Sequence, residues 1–254
     1  MRWGRCIAPL ALLATWQALS WLGAIPAHKL PSPLMIMAGL VELIQRGLPP
    51  GYRLDYHLLY SLYRVAWGFL LAAAVGVPLG LLMGWSRRIR GVVGPLVEMV
   101  RPVPPLAWIP LAILWFGIGV KSAAFIIFLG AFFPIVLNTT SGVLAVSPAL
   151  QEVARTLGAG EGDVVRRVLL PGALPSIFVG LRIGLGIGWM TLVAAEFTGV
   201  KSGYGLGYMI MVARDIQRAD QVLAGMVVIG LTGLVIDQLL RYLGRRLMPW
   251  QGGG

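Results

Sequence analysis

The stretch VAWGFLLAAAVGVPLGLLMGW runs from Val65 to Trp85 and is apolar along almost its whole length. A helix that crosses the hydrocarbon core of a lipid bilayer needs about 20 consecutive, predominantly apolar residues. This stretch is long enough to form such a helix. The sequence therefore predicts an all-α membrane protein.

Further apolar runs lie on both sides of this stretch. They are Ile7–Ile25, Pro102–Ile118, Ala123–Leu144, Phe178–Phe197 and Val222–Leu243. The second of these is short and contains four prolines, so we expect a bent or shortened span there. The sequence predicts about six transmembrane helices, with five helices and a re-entrant segment as the alternative.

The first apolar run has two interpretations. Arg2 and Arg5 precede it, and Ile25-Pro26-Ala27 resembles the cleavage site of a signal peptide. The apolar part of a signal peptide is about 7–15 residues long, and this run is longer. We therefore expect a retained helix, with a cleaved signal peptide as the alternative.

The composition excludes a soluble globular protein. Hydrophobic residues make up 57% of the 254 residues and charged residues only 12%, whereas a soluble domain is about 25% charged. The net charge of +11 would also fit a nucleic-acid-binding protein. However, six spans place both termini on one side of the membrane, and that side has most of the lysines and arginines. This distribution predicts cytoplasmic termini and requires no nucleic-acid partner.

Residues that would indicate an enzyme or a metal site are absent from the sequence. There is no phosphate-binding loop motif, because Gly-Val-Lys-Ser at 119–122 and 199–202 lacks the preceding glycines. Cys6 is the only cysteine, and we assign His28 and His57 to the first outer loop without a third ligand at metal spacing. We expect no catalytic residue, no metal and no cofactor bound by this chain.

Small residues recur at every fourth position in two of the apolar runs. They are Ala72, Gly76, Gly80 and Gly84 in one run, and Gly180, Gly184 and Gly188 in another, where Gly186 adds a second small face. Such stripes let two helices approach closely in lipid. We favour helix packing inside one subunit; a subunit interface or a substrate path is the alternative.

Ionisable residues also occur within the apolar runs. Arg182 and Glu196 are close to four helical turns apart, so they share a face of one helix without contact. Such residues either anchor a helix at the membrane boundary or line a wet pathway, and both interpretations stay open. Asp237 and Arg241 have the i, i+4 spacing of a structural ion pair.

The loop SPALQEVARTLGAGEGDVVRRVLLPGALP, at Ser147–Pro175, predicts a helix–turn–helix element. Ser147-Pro148 is a helix start, and Gly158 fits a helix end with positive φ. Gly160 and Gly162 predict a turn, and a second short helix from about Glu161 ends at Pro171. Its apolar stripe (Val164, Val165, Val168 and Leu169) needs a cover, either the protein's own spans or a soluble partner.

The spacing Glu152-Val153-Ala154, Gly158, Val168 and Leu170-Pro171 resembles the Glu-Ala-Ala…Gly…Ile-x-Leu-Pro element of inner-membrane subunits of bacterial ABC importers. Relatives often have a serine at the position of Gly160, so Asp163 or the turn backbone would cap the second helix here.

Other segments resemble the nitrate, sulfonate, taurine and bicarbonate subfamily of these importers. They are Ser61–Val65, Gly76–Gly80, Arg101–Pro110, Leu114–Gly117, Gly180–Arg182, Ala194–Glu196 and Gly203–Tyr208. The resemblance implies a permease with the type I ABC importer fold, embedded in the bacterial inner membrane. Residues 1–57 would form a first helix and an outer loop, and residues 58–254 the permease core with a coupling loop at 147–175.

The resemblance also implies partners. A homodimer of permeases would associate with two ATPase subunits, which bind ATP and magnesium, and with a periplasmic or lipid-anchored binding protein; a heterodimer stays open. The coupling loop would contact the ATPase through Glu152, Ala154, Arg155, Gly158, Ala159, Gly160, Asp163, Val168, Leu170 and Pro171. Candidates for the substrate pathway are Arg64, Asn138, Thr139, Arg182 and Glu196. The rival hypotheses are an ATP-independent transporter or channel, and a structural scaffold.

Overall fold

The computed structural model describes residues 4–23, 26–48, 51–197 and 204–249. Within these ranges the regular structure is helical, apart from one isolated bridge between Leu48 and Tyr52. The helices are α1 (Gly4–Trp21), α2 (Pro33–Gln45), α3 (Leu54–Trp85), α4 (Arg87–Val100), α5 (Ile109–Phe116), α6 (Val120–Leu144), α7 (Pro148–Thr156), α8 (Glu161–Val164), α9 (Leu170–Phe197), α10 (Leu206–Asp215) and α11 (Ala219–Leu247).

Four helical segments among the described residues are long and apolar enough to cross a membrane. They are α3, α6, α11 and the continuous helix Glu161–Phe197, which contains α8 and α9. The segment Pro105–Phe116 consists of a 3₁₀ turn (Pro105–Trp108) followed by α5. It meets α4 at 83°, and the two together make a fifth span if they are counted as one. The predicted bend near Pro102–Ile118 is therefore confirmed, while the total of six spans stays a prediction. The end of the first apolar run, at Ile25, lies outside the described residues.

The chain forms two compact units. One contains residues 1–62 and 200–232, and the other contains residues 63–199 and 233–254.

The central helix of the second unit is α6, which lies between α3 and α9. A Cβ atom added to Gly80 of α3 would lie 2.6 Å from Thr139 Cβ, and one added to Gly184 of α9 would lie 2.8 Å from the Ala131 carbonyl oxygen. Only glycine permits such close approach, so both stripes pack against α6 within this chain. The favoured interpretation of the stripes is confirmed. Gly186, by contrast, faces open space.

The second helix of the 147–175 loop does not end at Pro171, which corrects the sequence prediction. A π-helical segment, Val165–Leu169, follows α8, and the Leu170 N–H donates to the Val165 carbonyl. A proline normally breaks a helix because it lacks an N–H and crowds the carbonyl four residues earlier. The wider π turn relieves this crowding, so the helix continues through Pro171 into α9.

The glycine turn before this helix is also shorter than predicted. Gly160 is the residue before α8, whereas Gly162 lies within α8. Ser147 stands directly before α7 as expected, but its side chain makes no capping hydrogen bond. No side chain caps α8 either, so of the two caps suggested there Asp163 is wrong, while the turn backbone stays a prediction.

In the first unit, ion pairs of Arg218 connect α2 with the beginning of α11. Arg218 Nη2 contacts Glu42 Oε2 at 2.5 Å and Asp220 Oδ2 at 2.8 Å. The hydrogen bond from Arg218 lowers the pKa of Glu42, and the two carboxylates raise the pKa of Arg218. Gly39 permits the close approach, since a Cβ atom there would lie 3.0 Å from the Asp220 carboxylate.

His57 belongs to a helix and not to an outer loop, which corrects a second prediction. It lies in the first turn of α3 and is almost completely buried. The Gly205 N–H donates to His57 Nδ1 (3.1 Å), and the Leu206 N–H donates to Ser61 Oγ (2.9 Å). Two side chains of α3 therefore satisfy backbone N–H groups at the start of α10.

Candidate functional site

The end of α7 has the hydrogen bonds of a Schellman motif. The Gly158 N–H donates to the Arg155 carbonyl (2.9 Å), and the Ala159 N–H donates to the Ala154 carbonyl (3.0 Å). Gly158 has a φ of 88°, which glycine adopts with the least strain. The prediction that Gly158 ends the first helix with a positive φ is confirmed.

An ion pair closes the turn between α7 and α8. Arg155 Nε and Nη2 lie 2.8 Å and 3.2 Å from the two carboxylate oxygens of Glu161. Hydrogen bonding to Glu161 raises the pKa of Arg155. Since both side chains are largely exposed, this pair adds little stability, but it holds the two arms of the turn together.

The two helices of the loop differ in how deeply their apolar residues are buried. Val164 and Leu169 are 0% and 2% exposed and pack with Val143, Val146, Ala173 and Ile177. Leu150 and Val153 of the first helix, and Leu157 directly after it, are instead 58%, 56% and 82% exposed. The second helix is thus covered by the protein's own spans, while the first presents an apolar surface.

The remaining predicted coupling residues lie in the same loop and differ in exposure. Glu152, Arg155, Gly158, Gly160, Asp163 and Pro171 are exposed, and Ala154, Ala159, Val168 and Leu170 are half-buried. Asp163 pairs with Arg167 at 3.1 Å. Since α7 is amphipathic and exposed, the arrangement suits contact with another protein.

Arg64 of α3 and Glu196 of α9 form a fully buried ion pair. Arg64 Nη1 donates to Glu196 Oε1 at 2.6 Å, and both side chains are 0% exposed. The sequence predicted both as pathway residues without predicting their contact. They are far apart in the sequence, so local spacing gives no signal; the signal available was one isolated charge of each sign in apolar surroundings.

Arg182 lies elsewhere on α9 and has a different partner. Its guanidinium contacts the Asp237 carboxylate, which also accepts from Arg241 Nε at 2.9 Å. The i, i+4 pair of Asp237 and Arg241 is confirmed, and the sequence missed that Arg182 joins it. At a rise of about 1.5 Å per residue, Arg182 and Glu196 are roughly 21 Å apart along the helix.

Asn138 and Thr139 lie on α6. Asn138 donates to the Pro134 carbonyl at 2.8 Å and faces a cavity of about 340 Å³ with Arg101, Pro105 and Phe133. Thr139 is completely buried against Gly80. The five candidate pathway residues therefore do not form one site: Arg64 and Glu196 are brought together, and the other three are not paired with them.

Some of the residues singled out in the sequence lie outside the part of the chain that the structure describes. Gly203 of the predicted outer motif and residues 199–202 are not among the described residues, nor is the side chain of Cys6. Within the part that is described, no group of three or more histidine, cysteine, aspartate or glutamate side chains could hold a metal ion.

The architecture matches a solved importer. A chain from inward-facing structures of the MetNI methionine ABC transporter has the same fold, with a TM-score of 0.59 and 22% identity over 87% of this chain and 97% of that chain.

Sequence relatives cover almost the whole chain. The putative aliphatic sulfonates transport permease SsuC of Bacillus subtilis (strain 168) is 42% identical over 245 residues, which is 96% of this chain and 86% of SsuC. The taurine transport system permease TauC of Escherichia coli (strain K12) is 41% identical over 250 residues, or 97% of this chain and 89% of TauC.

Long apolar helices packed on α6, with an exposed amphipathic element between α6 and α9, define a membrane-embedded protein. The family model for the inner membrane component of binding-protein-dependent transport systems matches residues 76–249, and the chain belongs to this family. Its class is the permease subunit of ABC transporters, an inner-membrane protein whose partners are a separate ATPase and a substrate-binding protein.

Proposed function

We propose that this permease serves an ATP-driven importer of a small anion of the sulfonate, taurine, nitrate or bicarbonate class. The names of SsuC and TauC, each more than 40% identical over nearly the whole chain, support the sulfonates among these. The substrate would enter the cytoplasm by alternating access, and the binding protein would supply most of the selectivity. Calorimetric titration of the cognate binding protein should show tight binding of one of these anions.

The assembly would contain two copies of this chain, two ATPase subunits and one binding protein, periplasmic or lipid-anchored. We infer six spans with both termini in the cytoplasm. The loop at 147–175 would lie on the same side and face the ATPase. ATP and magnesium would bind to the ATPase subunits and not to this chain. The division into residues 1–57 and a permease core at 58–254 also belongs to this proposal.

One observation carries the coupling role: in a chain of this family, α7 and the residue after it expose the apolar side chains Leu150, Val153 and Leu157. Exposed apolar side chains on a short, polar-flanked helix are typical of a surface that another protein covers. The helix after the turn continues into α9 without a break. Closure of the ATPase dimer would therefore move α8 and α9 directly.

The test of this coupling role is Gly158→Asp. It forces a non-glycine residue to adopt positive φ and adds a negative charge beside the apolar surface of α7. Burial of an unpaired charge at an interface costs several kcal/mol. In proteoliposomes with the ATPase and the binding protein, we expect ATP-dependent uptake to fall about tenfold or more, and the ATPase to be lost on copurification.

The matched control is Gly158→Asn, which has nearly the same size, tolerates the left-handed conformation and adds no charge. We expect it to retain the ATPase and most of the uptake, and both variants to insert into the membrane normally. Wild-type uptake by Gly158→Asp would contradict the coupling role. Substrate flux that requires neither ATP nor the ATPase would favour the ATP-independent transporter, and a complete absence of flux would favour the scaffold.

A further inference from the structure

A charged cavity of the second unit lies between the first part of α9 and the last part of α11. Its volume is about 620 Å³, and its lining includes the guanidinium-bearing residues Arg182, Arg241 and Arg245. We name this cavity the arginine pocket.

The charges around the arginine pocket do not balance. Asp237 is the carboxylate shared by Arg182 and Arg241, so these three side chains together are positive. Arg245 adds a further positive charge, and the described residues include no ion-pair partner for it. The described lining of the pocket contains no carboxylate. The pocket is therefore complementary to an anion.

Asp237, Arg241 and Arg245 have i, i+4, i+8 spacing, which places all three on one face of α11. Asp237 also fixes the guanidinium groups of Arg182 and Arg241 in place. Such fixed guanidinium groups are well suited to bind the oxygens of a tetrahedral anion.

The rest of the lining is apolar. Phe178, Val179, Leu240 and Met248 line the pocket beside the arginines, while Ser176 and Gln238 add neutral polar groups. A free inorganic ion would use only the basic part. A molecule with an anionic head and a short alkyl part would fill both parts.

We propose that the arginine pocket binds an amphipathic oxyanion, in which a phosphate or sulfonate group contacts Arg245 and the alkyl part packs against Phe178 and Met248. Two sources have this chemistry: an anionic phospholipid of the surrounding bilayer, and a soluble alkanesulfonate. A basic pocket between membrane-spanning helices is a recognised type of lipid-headgroup site. The second source alone rests on the function proposed above.

The experiment uses the purified full-length chain in a neutral detergent. Dioctanoyl phosphatidylglycerol, dioctanoyl phosphatidylcholine and hexanesulfonate are titrated separately, and binding is measured by native mass spectrometry and calorimetry. The test variant is Arg245→Gln. The matched control is Arg246→Gln, which removes the same charge from the next residue. Arg246 does not line the pocket; its Nε contacts Tyr242 Oη at 3.0 Å.

We expect phosphatidylglycerol or hexanesulfonate to bind wild-type protein and Arg246→Gln with dissociation constants within about twofold of each other. Arg245→Gln should weaken that binding about tenfold or more, because one charge-assisted contact is lost. Loss restricted to phosphatidylglycerol assigns the site to lipid. Loss for hexanesulfonate, together with competition against phosphatidylglycerol, assigns it to the soluble anion.

Three results would overturn the proposal: no binding of either anion, equal binding of phosphatidylcholine, or equal weakening by Arg245→Gln and Arg246→Gln, which would indicate diffuse surface charge. If Arg245→Gln fails to elute as a single species, Arg245→Lys takes its place. Lysine keeps the charge but not the forked geometry, and an intermediate affinity is then expected. Binding is measured without ATPase or transport, so the result is independent of the transport proposal.

Discussion

Arg64 and Glu196 are two charged side chains that water does not reach, held together at 2.6 Å. Desolvation of two charges is expensive, and the attraction between them roughly compensates only while both are present. Removal of one partner leaves the other charge buried and uncompensated. The pair therefore makes the contact between α3 and α9 sensitive to single substitutions and tolerant of paired ones.

Glu196→Gln should destabilise the protein by about 3–5 kcal/mol, because Arg64 then stays charged without its carboxylate. The measurement is thermal unfolding of the purified chain in detergent. The control is Asp55→Asn, which breaks an ion pair with Arg53 in which both side chains are at least half exposed, and which should leave the unfolding temperature nearly unchanged because water screens exposed pairs.

The double variant Arg64→Met with Glu196→Leu should recover most of the stability, since apolar replacement of a buried pair is often neutral. Equal unfolding temperatures for Glu196→Gln and Asp55→Asn would contradict the burial of the pair. If the double variant is stable but no longer transports, the pair also has a role in the pathway.

For single residues, the sequence predicted the features that depend on neighbouring positions in the chain. The positive φ of Gly158 follows from its position at the end of a short helix, and the Asp237–Arg241 contact follows from helical spacing. The partners of Arg64 and Arg182 depend on which distant helices become neighbours. No local sequence pattern contains that information. Both arginines were therefore identified as unusual, but the partner of neither was predicted.

At the scale of helices, α6 is the element on which the second unit is built. Glycines of α3 and α9 face it from two sides, and the buried residues Ala72, Ala131 and Ile135 pack together at the contact with α3. Without a hydrophobic driving force between helices in lipid, such close packing is a main source of their association. Both the small-residue stripes and their role in helix packing were therefore predictable from the sequence.

Gly80→Ala should destabilise the second unit by about 1–3 kcal/mol, the usual cost of overpacking, because the new Cβ would meet Thr139 and the Val136 carbonyl. Gly186→Ala is the matched control, a helical glycine with open space around it. It should leave stability unchanged or raise it slightly. Thermal unfolding followed by size-exclusion chromatography measures both, and equal behaviour would contradict the packing of α3 against α6.

The course of the chain through Pro171 was predicted wrongly for a physical reason. A proline after a short apolar helix normally indicates a helix end, and this rule assumes regular α-helical hydrogen bonds. The π turn at Val165–Leu169 changes which carbonyl each N–H meets. Nothing in the residue types of that turn distinguishes it from an ordinary helix.

For the whole molecule, the number of spans decides where the termini lie. Apolar length and the positive-inside rule predict six spans and cytoplasmic termini, whereas five spans would place the termini on opposite sides. The helices α1 and α4–α5 decide between these alternatives. α1 has only 18 residues, and α4–α5 is bent by 83°.

Short epitope tags at the N-terminus and after Gly254 test this topology in right-side-out and inside-out vesicles. We expect antibodies to reach both tags only in inside-out vesicles. A third tag, inserted after Gly51 in the predicted outer loop, should be reached only in right-side-out vesicles and controls for leakage. Accessibility of the two terminal tags from opposite faces would contradict six spans.

The Arg64–Glu196 pair has an electrical consequence. Its two charges sum to zero, so its displacement across a membrane potential performs no net electrical work. A single charge that moved through the full field would exchange about 2.3 kcal/mol per 100 mV. Among the described residues these are the fully buried arginine and glutamate, so a displacement of this pair as one unit contributes no gating charge of its own.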